Sequence, residues 1–192
     1  TGGGKSICYQ LPALVLEHLT LVISPLISLM KDQVDALNMM GIPATFINST
    51  ISQQEMNKRI QMAVDGTVKL LYVAPERLES FDFQQLLLHV PIDLLAVDEA
   101  HCISQWGHDF RPSYLRLAEI ITQFQQQPTI IALTATATEQ VAQDIIEQLH
   151  IPEQNLVQTG FARENLAFQV VKDQNREVFL LEYLKLDKGQ YG

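Results

Sequence analysis

The chain has 192 residues, 47% of them hydrophobic, with a formal net charge of −9. That length fits one domain with a short extension, and the apolar fraction is enough for a sizeable core. The charge argues against a protein that grips nucleic acid through a bulk positive field, so any such contact has to be local. Cys8 and Cys102 lie far apart without a CxxC pair, which leaves a disulfide framework or zinc knuckle unsupported and points to reduced thiols. No apolar run reaches the roughly 18 residues that would suggest a membrane span. A protein of the cytoplasm, with no membrane partner, is expected, and the lack of basic tails points to a bacterial, nucleoid-associated setting.

The first residues, Thr1-Gly2-Gly3-Gly4-Lys5-Ser6, have the make-up of the second half of a phosphate-binding loop. Glycines let backbone N–H groups turn toward phosphate oxygens, and the helix that starts near Lys5 adds its N-terminal dipole. Lys5 is placed to reach the β- and γ-phosphates and Ser6 to put its hydroxyl on Mg²⁺. A terminal glycine linker is the plain alternative.

Downstream, short apolar runs predict strands at Leu19–Ser24, Ala44–Ile47, Val68–Val73, Ile92–Val97 and Thr129–Leu133. Segments with helical spacing fall between and after them, at Leu26–Met40, Ser52–Val64, Phe83–His89, Tyr114–Phe124 and Glu139–Leu149. Mostly apolar strands alternating with helices predict a doubly wound, mostly parallel α/β sheet covered on both faces. The tail adds strand-like runs at Leu156–Thr159 and Leu166–Val171 and a helix from about Arg176 to Leu186.

Two strand ends open helices with groups suited to a single nucleic-acid strand. These are Ser24-Pro25-Leu26-Ile27-Ser28-Leu29 and Ala74-Pro75-Glu76-Arg77-Leu78. Helix N-termini and hydroxyls contact phosphates without needing net positive charge, although ordinary capping accounts for such residues equally well.

The strand Ile92–Val97 delivers Asp98-Glu99-Ala100-His101 at its carboxyl end, where open α/β sheets bind ligands. Asp98 suits Mg²⁺, Glu99 suits a general base for the attacking water, and His101 is near enough to relay the nucleotide state. Next come Ser104-Gln105-Trp106-Gly107-His108-Asp109-Phe110-Arg111-Pro112, which hold the chain's single tryptophan. Aromatic side chains on a loop stack on bases, each worth about 1–3 kcal/mol, and Arg111 suits a phosphate or a carboxylate. A tryptophan closing an apolar gap is the bland alternative. Leu133-Thr134-Ala135-Thr136-Ala137 also follows a strand, with Thr136 or Thr138 as the N-cap of the next helix.

Taken in order, TGGGKSICYQLPAL, SPLISLMKDQV, LLYVAPERL, LLAVDEAHCISQWGHDFRPSY and LTATAT resemble the superfamily 2 helicases, and among them the RecQ family of DNA helicases. The resemblance runs from Thr1 to about Thr138, and Phe161-Ala162-Arg163-Glu164-Asn165-Leu166 is similar to a later element of that family. It implies a P-loop, RecA-like fold and ATP-driven 3′-to-5′ unwinding of DNA in recombination and repair, with ATP and Mg²⁺ as cofactors. It further implies nucleotide contacts from Gly2, Gly3, Gly4, Lys5, Ser6, Thr134 and Thr136, a metal held by Ser6 and Asp98, and catalysis by Glu99, Lys5 and His101. Ser24, Arg77, Trp106, His108, Phe110 and Arg111 are implied to couple DNA to hydrolysis. The expected partners are DNA, as single strand and duplex junction, and a second RecA-like domain of the same polypeptide.

The expected organisation is therefore a RecA-like ATP-binding domain at 1–160, lacking the strand before the phosphate loop, and a linker with the start of a second such domain at 161–192. Without that strand and the second domain's arginine finger, these 192 residues alone are expected to bind ATP weakly, hydrolyse it poorly and unwind nothing. An RNA helicase of the same superfamily is the rival enzyme, against which Trp106–Arg111 speaks. A catalytically idle ATP-sensing module is the rival of another class, against which Lys5 and Glu99 speak.

Overall fold

The computed structural model describes residues 4–158, 170, 172 and 175–186. The chain divides into two compact units, Thr1–Val157 and Gln158–Gly192.

The first unit is built on five parallel strands: β1 Leu19–Ile23, β2 Ala44–Ile47, β3 Leu70–Val73, β4 Ile92–Val97 and β5 Thr129–Ala132. Their order across the sheet is β2-β3-β1-β4-β5. Six helices accompany them: α1 Ile7–Ala13, α2 Ile27–Met39, α3 Gln53–Val64, α4 Phe81–Leu87, α5 Leu115–Ile121 and α6 Glu139–Leu149. Alternating side chains along each strand supply two separate cores. Leu21, Ile23, Leu71, Val73, Leu95 and Val97 pack on one face with residues of α3, α4, α5 and α6. Val22, Leu70, Tyr72, Leu94 and Ala96 pack on the other with Tyr9 and Ala13 of α1 and Met30, Val34 and Leu37 of α2. This two-sided burial explains why the inner strands read as continuous apolar runs rather than as alternating patterns.

Register then sets the site. Ile23 pairs with Val73 and Val97, Val73 with Ile47, and Val97 with Ala132. All five strands therefore end at one level, and the segments after them emerge along a single edge. Ser24, Asn48, Ala74, Asp98 and Leu133 are the first residues past that edge.

Helix ends follow local chemistry. Ser52 and Ser80 cap α3 and α4 by accepting from Glu55 N–H and Phe83 N–H. The Ser80 cap starts α4 two residues before the Phe83 expected from spacing, and α4 ends at Leu87. Thr138, not Thr136, caps α6, accepting from Val141 N–H at 3.3 Å. Among the described residues Leu156–Gln158 form no strand, contrary to expectation, and follow a 3-10 turn at Glu153–Asn155. Thr159 and most of the expected strand Leu166–Val171 lie outside the described residues, as do Phe161–Leu166. In the second unit, α7 spans Arg176–Leu186, with the Asn175 carboxamide oxygen accepting from Glu177 and Val178 N–H.

Candidate nucleotide and nucleic-acid site

At the carboxyl edge, Gly4, Lys5, Ser6, Ser24, Asp98 and Glu99 line one cleft of about 360 Å³. Residues 94 positions apart in sequence meet there: the Lys5 ammonium donates to Glu99 Oε1 at 2.9 Å. Gly4 takes φ +69°, the left-handed region that glycine enters without steric cost, and its carbonyl accepts from Ile7 N–H. Gly2 and Gly3 lie outside the described residues.

The sheet holds the carboxylate pair firmly. Asp98 N–H donates to Ile23 O at 2.9 Å, Leu133 N–H to Val97 O and Ala100 N–H to Leu133 O. The buried Tyr114 hydroxyl donates to the Asp98 carbonyl at 3.0 Å. Asp98 is 8% exposed, and burial pushes its carboxyl above the usual range, followed by the opposing pull of the Glu99 N–H. A buried carboxylate, Asp98, and a hydroxyl residue, Ser6, lining one cleft are the oxygen-donor chemistry a hard divalent cation favours.

Glu99 stands at φ 47°, ψ 47°. A left-handed non-glycine residue costs roughly 1–2 kcal/mol, and such outliers persist where the surroundings over-determine them. Here the turn swings the Glu99 side chain back over the strand end, toward Lys5 on one oxygen and His101 Nδ1 on the other at 3.3 Å. His101 Nδ1 also lies 2.9 Å from Thr134 Oγ1. The Thr134 hydroxyl donates to Thr136 O, so Nδ1–H is the donor toward Thr134. Burial holds the His101 ring below its ordinary pKa, followed by the neighbouring His108. Lys5, Glu99, His101 and Thr134 thus form one continuous polar chain. Thr136 is exposed, and its N–H donates to Thr134 Oγ1 at 3.3 Å.

The next loop hangs from this chain. His108 stacks on His101 with ring centroids 4.3 Å apart and planes 16° from parallel. Trp106 is 67% exposed, and Phe110 is half-buried. The Arg111 guanidinium binds Asp109 Oδ2 at 3.0 Å, donates to Pro25 O at 3.4 Å and lies 3.8 Å from Glu76 Oε1. Arg111 therefore bridges the loops after β1 and β3. His101, Cys102 and Asp109 present donor atoms within 4.8 Å of one another. Asp109 is paired with Arg111, and burial pushes the Cys102 thiol up to about 12.

Arg77 faces elsewhere. Its guanidinium donates to Asn48 O at 2.6 and 2.8 Å and to Ile51 O at 3.3 Å, fastening the loop after β2. Ser24 is buried, with its N–H donating to Val73 O. Sequence reasoning missed several cleft residues: Tyr9, Leu29, Met30, Gln33 and Tyr72. Gln10 donates to both Gln33 and Tyr72, tying α1 to α2 beside the cleft. Tyr9 and Met30 are also buried core residues, and helical spacing does not separate a core residue from a cleft wall.

Comparison with known proteins bears on the family and the fold. A family model described as DEAD/DEAH box helicase matches residues 1–145. The ATP-dependent DNA helicase RecQ of Bacillus subtilis is 55% identical over all 192 residues, which cover 32% of that relative. RecQ of Pasteurella multocida is 45% identical over the same span, 30% of its length. The chain thus spans about a third of these relatives. In structure, the Hef helicase domain of Pyrococcus furiosus superposes with a TM-score of 0.56 at 18% identity, covering 78% of this chain and 31% of that one. The Lhr helicase of Mycobacterium smegmatis gives 0.53 at 19% identity, covering 76% and 21%. Among the described residues no helix is long and apolar enough to cross a membrane. With a glycine-lysine-serine start, a strand-end DEAH run and RecQ relatives that match all 192 of its residues, this chain belongs to the DEAD/DEAH box helicase family and, within it, to the RecQ helicases.

Proposed function

We propose that this chain is the ATP-binding half of a DNA helicase motor: the first RecA-like domain of an enzyme that couples ATP hydrolysis to 3′-to-5′ unwinding in recombination and repair. The polar chain from Lys5 through Glu99 and His101 to Thr134 carries this reading, because it joins the phosphate loop to the segment after β5 through the candidate base. Gly2, Gly3, Gly4 and Lys5 hold the phosphates of ATP. Ser6 and Asp98 would hold Mg²⁺, which when bound supplies neutralisation of phosphate charge. Glu99 orients the attacking water and accepts its proton, and Lys5, held by Glu99 before nucleotide arrives, is freed to meet the phosphates. His101 passes the state of Glu99 to Thr134 and Thr136 on one side and to the ring of His108 on the other.

On the outer side, the segment from Trp106 through Phe110 to Arg111 meets single-stranded DNA, with Trp106 stacking on a base. Arg111 connects that segment to the loops of Ser24 and Glu76, which lie on the same edge. Arg77 serves DNA by keeping the loop of Asn48 in place. Residues 161–192 lead into a second RecA-like domain, against which hydrolysis drives motion. The motor works in the cytoplasm, at the bacterial nucleoid.

The test uses a full-length helicase carrying this domain, with ATP turnover measured with and without single-stranded DNA. Glu99→Gln lowers turnover by about 10²–10⁴-fold, and Trp106→Ala loses stimulation by DNA. Unwinding is then compared on duplexes with 3′ and 5′ overhangs. Normal turnover in Glu99→Gln, or unwinding of the 5′-tailed duplex only, would refute the assignment.

A further inference from the structure

The segment that presents Trp106 is fixed at its root by a contact from a distant helix. Ser104 is 1% exposed, and its hydroxyl has two partners. It donates to Asp144 Oδ2 at 2.5 Å and accepts from Trp106 N–H at 3.1 Å. The Ser104 carbonyl accepts from Gly107 N–H at 3.0 Å, closing the turn that contains Trp106. Hydrogen bonds to an ionised acceptor are shorter and about twice as strong as neutral ones, so the carboxylate of Asp144 orients the Ser104 hydroxyl. With that hydroxyl's proton pointing to Asp144, its lone pair faces the Trp106 amide.

Asp144 lies on α6, the helix that Thr138 opens directly after Thr134 and Thr136. Thr134, which bonds His101, is thus covalently continuous with a helix that holds Ser104 at the root of the aromatic segment. Two routes join the candidate base to Trp106: the ring stack of His101 on His108, and this second one through α6.

We infer that Asp144 is a positioning residue for the DNA response. Through Ser104 it sets the turn that presents Trp106, so that a shift of Thr134–Thr138 against His101 reaches the aromatic segment by way of α6. The inference rests on the reading that Trp106 senses DNA, and the experiment separates the two. In a full-length helicase carrying this domain, ATP turnover is titrated with oligodeoxythymidylate for Asp144→Ala, Asp144→Asn, Ser104→Ala and Trp106→Ala.

For Asp144→Ala the DNA-free rate stays within about twofold, while the oligonucleotide concentration giving half-maximal stimulation rises about tenfold, as loss of one charge-assisted hydrogen bond warrants. Asp144→Asn, whose carboxamide oxygen still accepts the Ser104 proton, restores most of the response. Ser104→Ala reproduces Asp144→Ala and carries the test if that variant does not fold. Stimulation of Asp144→Ala and Ser104→Ala at the wild-type concentration, with Trp106→Ala unresponsive, overturns the role of Asp144 alone. Normal stimulation of Trp106→Ala overturns the underlying reading of the segment. An Asn variant as defective as the Ala variant, or equal loss of DNA-free and DNA-stimulated turnover, reduces Asp144 to a general structural contact and also defeats the inference.

Discussion

The end of β4 and the loop that follows it are adjacent in sequence and opposite in character. Residues 98–104 are held by ladder hydrogen bonds, by Tyr114 and by contacts to the segment after β5, and all but Glu99 are buried. Residues 105–111 are mostly exposed and hang from a few attachments: Ser104, the His101–His108 stack and Arg111. Chemistry on phosphate rewards preorganised groups that do not move at the moment of reaction. A sensor has to give way when its ligand arrives. On the function proposed above, one short stretch meets both demands by placing a firmly held strand end directly before a loop with few anchors.

The most disruptive change expected at the boundary is Gly107→Ala. A Cβ at Gly107 would lie 2.3 Å from the His101 carbonyl oxygen and 3.1 Å from that of Ser104, and both obstacles are backbone. Either the loop lifts away or the rigid half distorts, at a cost of about 1–3 kcal/mol. For a domain of this size that lowers the melting temperature by roughly 2–4 °C per kcal/mol. The emission of the chain's single tryptophan tells which half yields. A shifted emission with little change in stability would show that the loop alone moves, and that its anchors are softer than the comparison holds.

Tyr114→Phe tests the rigid side by itself. It removes the hydroxyl that donates to the Asp98 carbonyl in a buried setting. The expected cost is about 1–2 kcal/mol, because a buried acceptor loses its partner. Thermal melting measures it, and tryptophan emission at low temperature stays unchanged. An emission change without loss of stability would mean that Tyr114 supports the loop rather than the strand end.

Much of the rigid half was legible in advance, and the contacts that tie the two halves were not. Five apolar runs named the strands because both faces of a parallel sheet are buried. The Asp98-Glu99 pair was legible because it follows such a run, which fixes it at the carboxyl edge. The left-handed turn at Glu99, which aims that carboxylate at Lys5, carries no glycine to announce it. Arg77 reads equally well as a phosphate contact or as a clamp on Asn48 and Ile51, because a guanidinium suits either acceptor. Ser104 and Asp144 meet across 40 positions, and Tyr114 and Asp98 across 16. Single side-chain hydrogen bonds of that kind depend on tertiary register and leave no periodic trace. The run Leu156–Gln158 forms no strand, because β-branched and apolar composition is a weak signal on its own and tertiary context decides it.

The smallest expected effect concerns acidity at the joint between the halves. Burial first, and the adjacent His108 second, hold the His101 ring below its ordinary pKa, while Glu99 and Asp109 pull the other way and Lys5 adds to the depression. An unfolded chain takes up a proton at this histidine near pH 6.5, and the folded chain resists it. Stability linked to His101 is therefore full above about pH 6.5, falls as pH drops from there, and levels off below the folded pKa. Because the carboxylates offset part of the burial effect, the change is modest. Melting temperatures at pH 7.5 and 5.5 measure it, with His101→Gln as the reference that removes the titration. The wild-type chain loses more on acidification than the variant does. If both lose equally, the histidine stack is not an acid-sensitive joint, and the loop's hold on the strand end rests on Ser104 and Arg111 instead.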